Sequence, residues 1–144
     1  MKAIYHQDKL LVLLIPNSYQ GEGIQFFTPD TFSQQLGYMN RPAGYVVAPH
    51  DHNPVPRTIE WTQEVLFIKK GKVRLDIYAP DTRAYLESLV LGAGDVVLLA
   101  HGGHGLVMLE QSEIIEVKQG PYAGEADKTR FAPVADKDTV FGKE

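Results

Sequence analysis

Three observations predict an all-β fold for this chain. Helical period is almost absent from it. Its apolar residues gather instead into short runs of Val, Ile, Leu, Phe and Tyr, bounded by Gly, Pro, Asn or Asp. These turn signals return roughly every eight to twelve residues, the spacing of a sandwich or a small barrel.

The strands follow in order. Residues 10–15, "LLVLLI", are a buried strand, since a bilayer span needs about 20 apolar residues. Asp8 before the run, and no small-residue cleavage site behind it, argue against a signal peptide. Residues 23–28 and 44–50 are the next candidates. In "KVRLDIY", residues 72–78, Val73, Leu75 and Ile77 alternate with Lys72, Arg74 and Asp76, the period-two pattern of a half-buried strand. "EVLFIKK" precedes it, and Gly71 supplies a reversal, so 64–78 reads as a hairpin. Further strands are expected at 85–91, 95–100, 104–109 and 113–119, with turns at "PDTF" and "PDTRAY". From about residue 121 the chain turns polar and is expected to run over the surface as a C-terminal arm. With no repeat and no linker, 1–144 reads as one domain.

Composition narrows the chemistry. A chain of 144 residues with 44% hydrophobic and 22% charged residues is globular. A net charge of −4 without a Lys/Arg cluster argues against nucleic acid as a partner. Without cysteine there is no disulfide, thiolate ligand or cysteine nucleophile, so any metal must be held by His, Asp or Glu. The expected setting is cytoplasmic.

Two of the five histidines, His50 and His52, stand one residue apart in "HDHNPVPRTIEWTQE". On a strand, positions i and i+2 share a face, so both imidazoles can converge on one point. Glu64 opens the returning strand and can add a carboxylate. "AHGGHG" supplies His101 and His104 among glycines that permit close approach. Imidazoles with one carboxylate suit a divalent first-row ion: Fe, Mn, Ni, Co or Zn.

These residues resemble the two cupin motifs. Gly44, His50, His52, Glu64 and Gly71 fill the first: a glycine, five residues, His-x-His, a glutamate, six residues, a glycine. The gap from His52 to Glu64 is eleven residues where cupins use three or four, which leaves Glu60 and Gln63 as neighbours of the same role. Glu64 alone keeps the six-residue spacing to Gly71. "GDVVLLAHGGHG" resembles the second motif, with Gly94 and Asp95 at its start and His104 as ligand; Ala100 and Met108 stand where a proline and an asparagine are usual. His101 is the alternative ligand, and even parity groups His104 with Leu106 and Met108, facing inward.

The resemblance spans about residues 44–110 and implies a cupin, a double-stranded β-helix or jelly-roll barrel. It implies a mononuclear divalent metal on His50, His52, Glu64 and His104, a homodimer, and a small polar ligand of sugar or organic-acid type. Glu64 and His101 are the candidate catalytic groups. The implied activities are metal-dependent isomerase, epimerase or dioxygenase. Alternatives are a metal-free nucleotide-sugar isomerase or epimerase working through paired histidines, and a non-catalytic binding module. Arg57, Lys118, Lys128 and Arg130 are candidates for an anionic ligand, Tyr38, Tyr45 and Trp61 for pocket walls. "DKTRF", 127–131, either caps the barrel or crosses to a partner subunit.

Overall fold

The period-two runs do form strands. A computed structural model describes residues 1–142; Lys143 and Glu144, the end of the expected arm, lie outside the described residues. The strands are β1 (Lys2–His6), β2 (Lys9–Ile15), β3 (Gly23–Phe26), β4 (Gly37–Asn40), β5 (Glu64–Lys70), β6 (Lys72–Tyr78), β7 (Tyr85–Gly92), β8 (Val96–Leu99), β9 (Gly103–Met108) and β10 (Glu113–Lys118). Short 3-10 turns at Gly124–Asp127 and Asp136–Asp138 are the only helical pieces among the described residues. None is long or apolar enough to cross a membrane.

The chain divides into two compact units, residues 20–60 and the remainder. The larger unit holds two antiparallel sheets, in the orders β1-β2-β8-β5-β10 and β7-β6-β9. One core joins them: Leu66, Ile68, Val97 and Leu99 from the first sheet meet Val73, Leu75, Ile77, Leu89 and Leu91 from the second. The class is therefore all-β, with open antiparallel sheets, none of which closes into a barrel.

Gly71 does not close a hairpin. β5 pairs with β8 and β10, β6 pairs with β7 and β9, and the single residue between them carries the chain from one sheet to the other. Its φ of +86° and the crowding of a Cβ against the Gln111 carbonyl and Ser112 restrict this corner to glycine. Alternation cannot distinguish a hairpin from a corner, because both present the same face inward.

Two strands lack an early signal. β1 pairs with β2 through a two-residue turn in which Gln7 and Asp8 both take positive φ, 49° and 63°. That geometry favours Asn-Gly, so "QD" does not announce it. β4, "GYMN", has no β-branched residue.

The smaller unit pairs β3 with β4. Its expected strand at 44–50 does not form, and no ladder is present from Arg41 to Gln63. Pro42, Pro49, Pro54 and Pro56 remove ladder donors along this stretch, which overrides its apolar "YVVA".

The outer face of β6 is not solvated as its charges suggest. Arg74 and Asp76 are 6% and 1% exposed. The arm covers them: Asp136 takes a hydrogen bond from Arg74 Nη1 at 2.8 Å, and Ser88 of β7 forms a parallel bridge with Phe141.

Candidate functional site

Three strand ends meet at one end of the larger unit. Glu64 opens β5, His104 stands second in β9, and Lys118 closes β10. Register places Glu64 opposite Lys118, and His104 opposite the core residue Ile77. Opposed residues of an antiparallel pair share a face, so all three side chains take the inner side. Leu106 and Met108 oppose Leu75 and Val73, as the parity of His104 requires.

These residues line a cavity of about 570 Å³. Thr62 and Tyr78 complete the sheet side, and the arm closes the other with residues 127–131 and Pro133. Phe131 stacks edge-on against Tyr78, centroids 5.0 Å apart, and lies so near Gly103 that a Cβ there would stand 2.7 Å from its ring. The glycines of "HGGHG" thus admit the arm's aromatic ring.

A chain of charges crosses the cavity. His104 Nε2 lies 3.1 Å from Glu64 Oε2, and Lys118 Nζ lies 3.8 Å from Glu64 Oε1. Lys118 bonds Asp127 Oδ2 at 2.9 Å, and Thr62 Oγ1 donates to Asp127 Oδ1 at 2.7 Å. The hydrogen bond to His104 holds the Glu64 carboxyl below its ordinary value; the charges of His104, Lys118 and Lys128 act with it and burial against it. The hydrogen bond to Asp127 raises the Lys118 ammonium. Asp127 is lowered, first by Lys118 and then by Thr62. The pocket thus keeps two carboxylates and an ammonium charged at neutral pH.

His50 and His52 belong to the smaller unit. They sit in irregular chain, so the shared-face argument does not apply, yet their rings still meet edge to face at 5.3 Å. His50 Nδ1 lies 2.9 Å from the Ala48 carbonyl, which can only accept. Nδ1 therefore carries the proton, and in the neutral ring Nε2 keeps a free lone pair, the arrangement common behind metal-bound imidazoles.

Among the described residues, no three His, Asp or Glu side chains gather as a metal-holding group. An imidazole nitrogen and a carboxylate oxygen are donors that a divalent ion accepts, and here His104 Nε2 and Glu64 Oε2 hold each other through a hydrogen bond at 3.1 Å.

His101 takes another place. It stacks on Trp61, centroids 5.3 Å apart, and burial lowers its imidazole, partly offset by a backbone bond at Leu10 and reinforced by the charge of Lys9. It is not part of the cavity wall. Gln63 is buried, its carbonyl bonded by the Gln119 amide, while Glu60 belongs to the smaller unit. Of the four cations considered, Lys118, Lys128 and Arg130 line the cavity. Arg57 lies in the smaller unit, hydrogen-bonded to the Val55 carbonyl. Tyr38 and Tyr45 are also in that unit, where Arg41 stacks on Tyr45.

Thr62 and Tyr78 carried no signal, whereas Asp127 and Phe131 delimit "DKTRF", the segment expected as a cap or a crossing arm. Lys118, already a candidate for an anionic ligand, shares the inner side of β10 with Ile114. No family model matches the chain, and neither a curated protein nor a solved structure matches it.

Proposed function

We propose that this is a small cupin-type protein that binds a divalent metal and a small polar, anionic ligand in the cavity around Glu64 and His104. The observation that carries the reading is the His104–Glu64 pair, 3.1 Å apart in a cavity of about 570 Å³ with Lys118 at hand. A pocket of that volume suits a small metabolite rather than a polymer. The motif resemblance, a sequence argument, assigns His50 and His52 to the same ion.

A divalent ion there supplies Lewis-acid polarisation of a ligand oxygen. The chain's own groups do the rest. Lys118, Lys128 and Arg130 attract an anion, Tyr78 and Phe131 give it an apolar wall, and Glu64, ionised at neutral pH, can accept a proton. This suits isomerisation or epimerisation of a sugar derivative or an organic acid.

A second reading has its own support. Lys118 offsets the Glu64 charge and His104 hydrogen-bonds it, so Glu64 and His104 can serve as a proton-transferring pair without an ion.

Metal analysis of protein purified without added metal decides between them. The first reading expects about one equivalent per chain, lost in His104→Ala and Glu64→Gln variants that keep the wild-type circular dichroism spectrum. Equal metal content in wild type and His104→Ala overturns it. Metal-free wild type that still gains thermal protection from a ligand, with His104→Ala not gaining it, supports the second. A His50→Ala/His52→Ala variant that keeps its metal removes those two from the ligand set.

A further inference from the structure

We propose that Lys118 and Thr62 form a carboxylate subsite which Asp127 of the chain's own arm fills at rest, and that a ligand carboxylate takes its place. The inference rests on reading this cavity as the ligand site, and it supplies both a ligand class and a device controlling entry.

The reception of Asp127 is that of a bound acid. Its two oxygens go to two different donors, Oδ2 to the Lys118 ammonium at 2.9 Å and Oδ1 to the Thr62 hydroxyl at 2.7 Å. Both donors belong to the sheet side: Lys118 ends β10, and Thr62 stands two residues before β5. The carboxylate comes from the arm, at the end of a single 3-10 turn with no buried residue. Fixed donors holding a carboxylate on a thinly anchored segment amount to a receptor with its own tethered competitor. Such a competitor acts at a high effective concentration and raises the apparent dissociation constant of any free acid.

Position gives the subsite its purpose. Lys118 is shared between Asp127 and Glu64, so a ligand carboxylate on Lys118 directs the rest of its molecule toward Glu64 and His104. Displacement also changes the charge of the cavity. Asp127 leaves with its negative charge, while Lys118, fixed at the end of β10, remains for the incoming anion. Arg130 stays on Glu125, 2.6 Å away within the arm. One planar, two-oxygen group met by one donor per oxygen favours a carboxylate over a phosphate.

The test uses the full chain, malonate and inorganic phosphate as probes, and trypsin, which cuts after Lys128 and Arg130. Asp127→Asn keeps size and acceptor but removes the charge. It is expected to bind malonate about tenfold more tightly than wild type, the gain from freeing a site about nine-tenths occupied. Its arm should be cleaved faster without ligand, and malonate should accelerate cleavage of the wild-type arm. Lys118→Met should abolish malonate binding in both backgrounds. Glu116→Gln, which removes a nearby charge that does not touch Lys118, should change affinity less than about twofold.

Equal malonate affinity in Asp127→Asn and wild type overturns the proposal, as does a gain for phosphate alone. If metal retention still depends on His104 in that case, the subsite fails and the cavity reading stands. If Asp127→Asn gains affinity while His104→Ala and Glu64→Gln keep wild-type metal and ligand binding, the subsite stands and the reading of Glu64 and His104 fails.

Discussion

Two charged clusters, both completed by the C-terminal arm, differ in what they leave unsatisfied. On the outer face of β6, Arg74 bonds Asp76 twice, Nε at 2.9 Å and Nη2 at 3.2 Å, and Asp136 once. Asp76 also accepts from Ser88, whose hydroxyl meets Tyr85, and Tyr85 accepts from the Val140 amide. In the cavity the central groups are wetter than Arg74 and Asp76, whose side chains are 7% and 2% exposed: the His104 side chain is 35% exposed, Lys118 21% and Glu64 14%. Lys118 has three donors and one short bond. A network built on a buried arginine–carboxylate pair fixes a fold, and a half-wet one whose lysine has spare donors can exchange partners for a ligand. Similar residue types make a strut in one place and a site in the other.

The sharpest way to break the comparison is to remove one partner from each cluster. Asp76→Ala leaves Arg74 buried with only Asp136, and breaking a buried pair from one side costs about 3 kcal/mol or more. Urea denaturation should show that loss as a lower midpoint. Glu64→Gln should cost less than about 1 kcal/mol, because water reaches His104 and Lys118 in its absence. Equal losses would place the two clusters in one structural class.

A smaller effect separates the two ends of the arm. Phe131 packs on Tyr78 and under the Arg83 guanidinium, 5.5 Å from its ring. An aromatic pair contributes about 0.5–1.5 kcal/mol beyond buried area. Phe131→Ala should therefore raise amide exchange around 124–131 by roughly threefold to tenfold. The Ser88–Phe141 bridge, held by its own Val140 and Gly142 backbone bonds, should keep its protection. Loss of protection at both ends would make the arm a single cooperative piece, contrary to the comparison.

The sequence made one cluster legible in part and concealed the other. Lys72, Arg74 and Asp76 read as a solvated face, because period two reports which side faces the core and says nothing of what covers the far side. The arm that covers it is polar, and its Asp136 meets Arg74 across 62 residues of chain, a distance no local pattern reports. Glu64 and His104 were legible because each sits at a fixed offset from a glycine corner or turn within a regular strand. Asp127 was legible only within "DKTRF", the expected cap or crossing segment, because its pairing with Lys118 depends on the arm's return. The turn at "QD" was missed and the corner at Gly71 misread for a related reason: the backbone signal was either unusual or shared by two geometries.

The smallest expected effect is a pH response confined to the cavity end of the arm. The hydrogen bond from Lys118, followed by that from Thr62, holds Asp127 below its ordinary value of 3.8. A carboxyl lower in the folded chain than in the unfolded one stabilises folding above the unfolded value. That contribution is lost as pH falls through the folded value. Attachment of residues 124–131 should thus be constant from neutrality down to about pH 4. Below that it should loosen, read as faster amide exchange after correction for the intrinsic rate. Asp127→Asn should abolish this step, with wild type in acid approaching the variant's exchange at neutral pH. The region around Asp76 should show no step in that variant's favour, since its pairing does not involve Asp127. A wild-type step that persists in Asp127→Asn would assign the acid response to another carboxylate and remove Asp127 as the arm's latch.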